Sequence, residues 1–279
     1  MNYRYLVASD MDYTLLVTGT EVSEENRKAI RELREAGVAF TLATGRTFYL
    51  VGKYVRELDI DVPLITSNGG ALFDPKSFSE VYSNDMDEHV LKELFRLLLD
   101  RNIDFAGYSP EGVFFAPNSG RRAFFENYNK EVPDNEKAKL FDFGYSDLER
   151  TDFPRFNKIL VVGADEDTLN MLRTRTDLDC AASTGNFFDV MNIGSTKGNG
   201  LMMLADRLGI PRENTFAIGD NENDLSMLLM ASHSIAMGNS REDIKAVCDY
   251  VTSNCDEDGF AKAMREYVLP IVRKGQKLP

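Results

Sequence analysis

Short apolar runs alternate with amphipathic segments at both ends of this chain, and the alternation breaks off in between. The run "YRYLVAS" from Tyr3 is partly β-branched and bounded by acids, which suits a strand buried on both faces. Ser23 then stands at a helix N-cap, and Ala29, Ile30, Leu33 and Ala36 recur at helical spacing. Gly37 follows where a helix end needs positive φ. A second strand is expected over 38–45, a helix over 47–59, and a third strand in "PLITSNGGALFD" that turns at Asn68-Gly69-Gly70. Strand, helix, strand, helix, strand implies a parallel sheet with helices on both faces. Its ligand site lies beyond the carboxyl ends of the strands, where Asp10, Thr44 and Asn68 fall.

After Tyr82 the pattern changes to a long helix near 87–101, a hairpin in "IDFAGYSP" and "GVFFAPN", and a helix near 121–130. The strand "FNKILVVGA", a helix near 165–175 and two runs around Cys180 and Phe188 follow. Parallel alternation resumes from about Asn192, with helices over 196–208, 222–231, 241–248 and 258–268 and strands "TFAIGD", "HSIAMG" and "YVTS" between them. The 279 residues suit two moderate domains. The boundaries expected are 1–84 and 188–279 for a discontinuous α/β core, and 85–187 for an inserted α+β domain. The terminal "RKGQKLP" reads as a frayed polar tail.

Forty-five acids against 32 bases leave a net charge of -13, which argues against nucleic acid or an anionic membrane as a partner. An anionic substrate needs positive charge supplied locally. Cys180, Cys248 and Cys255 lack a metal-ligand spacing and read as reduced thiols; with no secretory or membrane-spanning run, a cytoplasmic protein is expected. The oligomeric state is left open.

Four strand ends carry the chemistry. "DMDYT" places Asp10 and Asp12 two residues apart, so both carboxylates can face one cavity past the strand end. Such a pair needs a cation or a shared proton, and hard oxygen ligands favour magnesium. An acid pair that only caps a turn reads almost as well from this stretch alone. "TLATGR" offers the Thr44 hydroxyl, the Gly45 backbone and the Arg46 cation to an anion. Lys197 in "GSTKGNG" opens a helix, where its ammonium and free N–H groups could meet a phosphate; alone it reads as a solvated lysine. "GDNEND" ends another strand with Asp220, Asn223 and Asp224, an oxygen-rich junction suited to magnesium. Neither G-x-x-x-x-G-K-[ST] nor G-x-G-x-x-G is satisfied around Lys197.

Taken in this order, the motifs resemble the haloacid dehalogenase superfamily of phosphatases, and "TGR", "SNGG" and "GDNEND" resemble its Cof-type branch. The resemblance implies a Rossmann-like core with an inserted α/β cap that selects the substrate. It implies Asp10 as nucleophile, Asp12 as general acid and base, and Mg2+ held by Asp10, Asp220 and the Asp12 carbonyl. Thr44, Gly45, Arg46, Lys197 and Asn223 are then phosphate contacts, and Asp224 supports the metal ligands. The implied substrates are small phosphorylated metabolites, foremost sugar phosphates, with flavin mononucleotide and pyridoxal phosphate as further candidates. Relatives sharing the cap include sucrose-phosphate and mannosyl-3-phosphoglycerate phosphatases and phosphomannomutase; a non-enzymatic phospho-aspartate switch is a more distant alternative. Tyr13 departs from the family's glycine: a need for positive φ there would cost about 1–2 kcal/mol or shift the turn, which puts the geometry around Asp12 in question, while the plainer expectation is an ordinary conformation at the surface. His89, His233, Met227 and Met230 carry no expected role, and Phe114, Phe115, Phe187 and Phe188 read as core of the inserted sheet.

Overall fold

The computed structural model describes residues 3–17, 21–182 and 185–275. Five strands form a wholly parallel sheet in the order Tyr250–Val251, His233–Ala236, Thr215–Gly219, Tyr5–Ser9, Val38–Leu42. The strands Thr215–Gly219, Tyr5–Ser9 and Val38–Leu42 are buried along their whole length, as continuous apolar runs require when helices cover both faces. The helix Glu24–Glu35 starts on the Ser23 side chain, which accepts from Asn26 N at 3.1 Å, and ends at Gly37 with φ +74°. It buries Asn26, Ala29, Ile30 and Leu33.

The third strand, Leu64–Thr66, meets this sheet through the single parallel bridge Ala43↔Ile65. It then turns at Ser67–Gly69 into an antiparallel ribbon with Ala71–Asp74 and Ser79–Ser83. The helix expected over 47–59 is divided into a 3-10 turn, Phe48–Leu50, and a helix, Gly52–Leu58. The last helix runs past 268. Gly259–Ala263 continues through a π turn, Met264–Val268, into Leu269–Gly275, and the wider turn falls directly before Pro270, which has no N–H for an α-turn. The expected frayed tail is therefore helical to Gly275; 276–279 lie outside the described residues.

A six-stranded sheet has the order Leu178–Ala182, Phe187–Asn192, Lys158–Val162, Asp104–Ser109, Gly112–Phe115, Leu140–Asp142. All its pairings are antiparallel except the last. The expected return to the core at 188 falls inside its strand Phe187–Asn192, whose pairing carries through Asn192. An apolar run reads alike in either sheet, so only its partners reveal where it belongs. The helix Glu88–Asp100 and the helix Glu166–Arg173 cover one face, burying Leu91, Phe95 and Leu172 with Phe105, Val161 and Val190. Strand alternation sends Tyr108, Lys158, Leu160, Phe187 and Asp189 to the opposite face. That face looks toward the carboxyl end of the parallel sheet, and Gly120–Glu131 forms a helix beside it.

The chain crosses between the two sheets near Asn84 and Asn192. Asn192 Nδ2 donates to Asn84 Oδ1 and to the Asp85 carbonyl, and Asn84 Nδ2 donates to the Ile193 carbonyl and Ser195 Oγ. The two crossings are thus tied side by side. Among the described residues no helix is long and apolar enough to cross a membrane.

Candidate active site

Strand ends bring together groups that lie far apart in sequence. Asp10 follows the Tyr5–Ser9 strand and Asp220 follows Thr215–Gly219, its neighbour in the sheet. Between them stands Lys197, the first residue of the helix Lys197–Leu208. Its ammonium is 0% exposed and donates to Asp10 Oδ1 and Asp224 Oδ1, each at 2.6 Å. The solvated-lysine reading is overturned. Burial alone would drive the Lys197 ammonium down, but the two carboxylates outweigh it and push it up.

Asp224 is fully engaged. Its Oδ2 accepts from the backbone N–H of Asp220 and Asn221 at 2.9 and 3.0 Å, while Oδ1 takes Lys197. It therefore fixes the Asp220 loop and the lysine. Asp10 and Asp220 are left to face one space, and Asp220 Oδ1 accepts from Thr14 Oγ1 at 2.8 Å. Burial, then repulsion by Asp224, raises the Asp10 carboxyl well above its ordinary range and pushes Asp220 up to about 6. Acids so destabilised as anions fit a missing counter-charge. One oxygen each of Asp10, Asp220 and Asp224 lie within 4.8 Å of one another; with Asp224 engaged, Asp10 and Asp220 are left to offer oxygens to a hard cation such as magnesium.

Asp12 is half-buried, and its carboxylate takes the Arg46 fork, with Nε at 3.0 Å and Nη2 at 2.5 Å. Arg46, expected as an anion contact, thus grips the second acid. The Thr44–Arg46 loop is folded against Ser67–Asn68: Asn68 N donates to the Thr44 carbonyl and Ser67 N to the Arg46 carbonyl, both at 3.0 Å. The Thr44 hydroxyl accepts from Arg46 N at 3.1 Å. Ser67, Asn68 and Gly69 all have positive φ, and a Cβ on Gly69 would stand 2.0 Å from the Thr196 carbonyl. The bend must be this tight for the helix of Lys197 to come so close. Asn223 Nδ2 donates to Asn68 Oδ1 at 3.1 Å, joining the two loops.

Sequence reasoning missed two residues from the other sheet. Lys158 Nζ donates to the Gly45 carbonyl at 2.7 Å and pairs with Asp189 Oδ2 at 2.6 Å, and Asn68 Nδ2 also reaches that oxygen at 3.1 Å. Lys158 and Asp189 are 5% and 2% exposed. Their diagonal register on paired strands is invisible without the pairing; a charge opening the apolar run "KILVV" and another inside "FFDVMN" were the available signals. Burial raises the Asp189 carboxyl, opposed by Lys158.

Tyr13 has φ +63°, so the expectation of an ordinary conformation is corrected: the turn after Asp12 needs the left-handed region. The ring is 51% exposed and has little burial to lose. Tyr13→Gly is expected to raise stability by about 1 kcal/mol, read by urea unfolding; a loss of stability would show that the ring holds the turn. Phe187 also departs from its expected core place. It is half-buried and lines the cavity, whereas Phe114, Phe115 and Phe188 are buried in the sheet. His89 pairs with Glu93 and His233 stacks on Phe216, both away from the acids.

The cavity has a volume of about 620 Å³, with Asp10, Asp12, Thr44, Gly45 and Asn223 at one end and Tyr108, Arg121, Phe124, Tyr128 and Phe187 at the other. A parallel sheet carrying two acids, a buried lysine and a third acid loop at its carboxyl end, roofed by a second sheet, defines a hydrolase of the haloacid dehalogenase type. The chain belongs to that family: the model for haloacid dehalogenase-like hydrolases matches residues 7–264. It is similar to the 5-amino-6-(5-phospho-D-ribitylamino)uracil phosphatase YcsE of Bacillus subtilis, at 32% identity over 95% of this chain and 96% of that protein. A solved haloacid dehalogenase-like hydrolase from B. subtilis superposes with a TM-score of 0.79 at 27% identity, covering 94% of this chain and 99% of the other. The solved subclass IIB sugar phosphatase BT4131 shares the fold, with a TM-score of 0.77 at 24% identity, covering 95% of this chain and 99% of the other. The protein is an enzyme of this phosphatase-bearing family.

Proposed function

We propose that the protein is a magnesium-dependent phosphomonoester hydrolase acting on small phosphorylated metabolites, foremost sugar phosphates, through an aspartyl-phosphate. The observation that carries this reading is Asp10, held at 2.6 Å by a fully buried lysine and facing Asp220, with a second acid two residues on gripped by Arg46. Asp10 attacks phosphorus as the ester P–O bond breaks, and Asp12 gives its proton to the departing alkoxide. Asp12 then takes a proton from water, whose oxygen attacks the aspartyl-phosphate to release phosphate and restore Asp10. Lys197, Thr44, Gly45 and Asn223 hold the phosphoryl oxygens, Asp224 holds Lys197, and Arg46 positions Asp12. Asp10, Asp220 and the Asp12 carbonyl would hold Mg2+, which when bound offsets the repulsion between carboxylate and phosphate. The domain closing over the substrate is proposed to begin at 85 and, from the strand pairing, to extend through Asn192.

The test is phosphate release from p-nitrophenyl phosphate and a sugar-phosphate panel with magnesium. Turnover that requires magnesium supports the reading, and free phosphate separates hydrolysis from return of the phosphoryl group to a sugar. No release from any ester by the wild type would refute it.

Metal binding should depend on pH with a definite sign. Asp220 must be deprotonated to take a cation, and its carboxyl is pushed up to about 6. Apparent magnesium affinity is expected to fall by about tenfold or more per unit below pH 6, where Asp220 and the raised Asp10 carboxyl take up protons, measured by titration calorimetry. Equal affinities at pH 5 and pH 7.5 would contradict it.

A further inference from the structure

Seven buried side-chain polar atoms lack a hydrogen-bond partner among the described residues, and three of them belong to residues lining the cavity: Arg121 Nε, Tyr128 Oη and Asp189 Oδ1. Native structures rarely leave such atoms bare, because each has given up water and gained nothing in return. Three around one cavity point to a partner that arrives with the ligand. Building on the phosphatase reading above, we propose that Arg121, Tyr128 and Asp189 form a specificity site that reads hydroxyl groups on the leaving-group end of a polyhydroxylated phosphate ester.

The surroundings fix these groups in advance. The Arg121 guanidinium lies 4.2 Å from the Phe124 ring centroid and 5.2 Å from that of Phe187. Tyr128 stacks on Phe124 as well, at 6.2 Å and 15°. Phe124 is 42% exposed, which makes poor sense as core and good sense as a wall of a ligand site. Asp189 has one oxygen committed to Lys158 and Asn68 and the other bare. The Arg121 guanidinium interacts with Tyr108, and its charge acts on Asp189 without a direct ion pair among the described residues.

The chemistry of the bare atoms selects the ligand class. Asp189 accepts, Arg121 donates and Tyr128 can do either. A second anion on the leaving group would be repelled by Asp189, and a cation would be repelled by Arg121 and Lys158. A bare hydrocarbon would leave all three atoms unpaired. A hydroxyl donates to a carboxylate and accepts from a guanidinium at once, and the C–H face of a polyol or sugar packs on Phe124 and Phe187. A cavity of about 620 Å³ holds a leaving group of several carbons beyond the phosphate.

The experiment compares kcat/KM of the wild type, Arg121→Met and Tyr128→Phe with magnesium. Its substrates are hexose, pentose and pentitol phosphates, their monodeoxy analogues, and acetyl phosphate, which has neither hydroxyl nor ring. The expected result is that the best polyol phosphate beats at least one monodeoxy analogue by about 100-fold or more in the wild type. That ratio should shrink by at least about tenfold in each variant, a change that mere loosening of the helix cannot produce. Wild-type activity on acetyl phosphate with none on polyol phosphates would overturn the proposal and leave the hydrolase reading intact. So would parent-to-deoxy ratios near one, or ratios unaltered in both variants. A preference for planar ring phosphates that is insensitive to deoxygenation would also overturn it. Absence of phosphate release from every substrate, acetyl phosphate included, would instead sink the hydrolase reading and this inference with it.

Discussion

A Lys197→Met variant is expected to lose about 3–5 kcal/mol of stability at pH 7.5 together with its turnover. The ammonium is fully buried and is the shared partner of Asp10 and Asp224. Methionine fills a similar volume but leaves two carboxylates facing each other with no ammonium between them. The deficit should narrow as pH falls. Asp10 is already raised well above the ordinary carboxyl range with the lysine present, so in its absence protonation is easier still, and a neutral acid no longer repels Asp224. Such an acid contributes stability at low pH that is lost as pH rises through its folded pKa. Urea unfolding at pH 7.5 and pH 5 decides the matter: an equal deficit at both values would show that packing, not charge, is what the lysine supplies.

Asp10→Asn is expected to behave in the opposite way. Turnover should fall by roughly 10^4-fold or more, because an amide cannot form the acyl-phosphate. Metal-free stability should be unchanged or higher at neutral pH, since the variant removes a buried charge that is repelled by Asp224 and Asp220. Lys197 keeps Asp224 as its counter-ion. Phosphate release with magnesium and urea unfolding in chelator measure the two halves. A variant that hydrolyses esters at a tenth of the wild-type rate would move the nucleophile elsewhere.

Much of this site was legible because it sits where buried strands stop. Asp10, Thr44 and Asp220 each follow an apolar run, and a run of that length needs only local patterning to be recognised. Lys197 was legible by position but not by environment: nothing in "GSTKGNG" reveals that its side chain is 0% exposed. Arg46 was placed at the right loop, but its pairing with Asp12 depends on a contact across 34 residues that the sequence does not display. Lys158 and Asp189 were missed because their meeting depends on strand register and on how the two sheets face each other. Tyr13 shows the reverse situation. Its residue type argues against the left-handed region it occupies, and the turn around Asp12 overrides that preference.

The place of the Tyr5–Ser9 strand in the sheet also bears on how the chain is made. Of the strands in this sheet it is synthesised before the rest, yet it lies between two of them, with Val38–Leu42 on one edge and Thr215–Gly219 on the other. One edge can pair almost at once. The other waits for a further 200 residues or so, roughly 10–40 s at ordinary translation rates. During that interval an apolar edge of the nascent chain is open, and the residues between must fold without drawing it into their own antiparallel sheet. A ribosome-bound chain stopped before Thr215 should therefore present to a holdase chaperone the apolar strand edge that the finished enzyme hides.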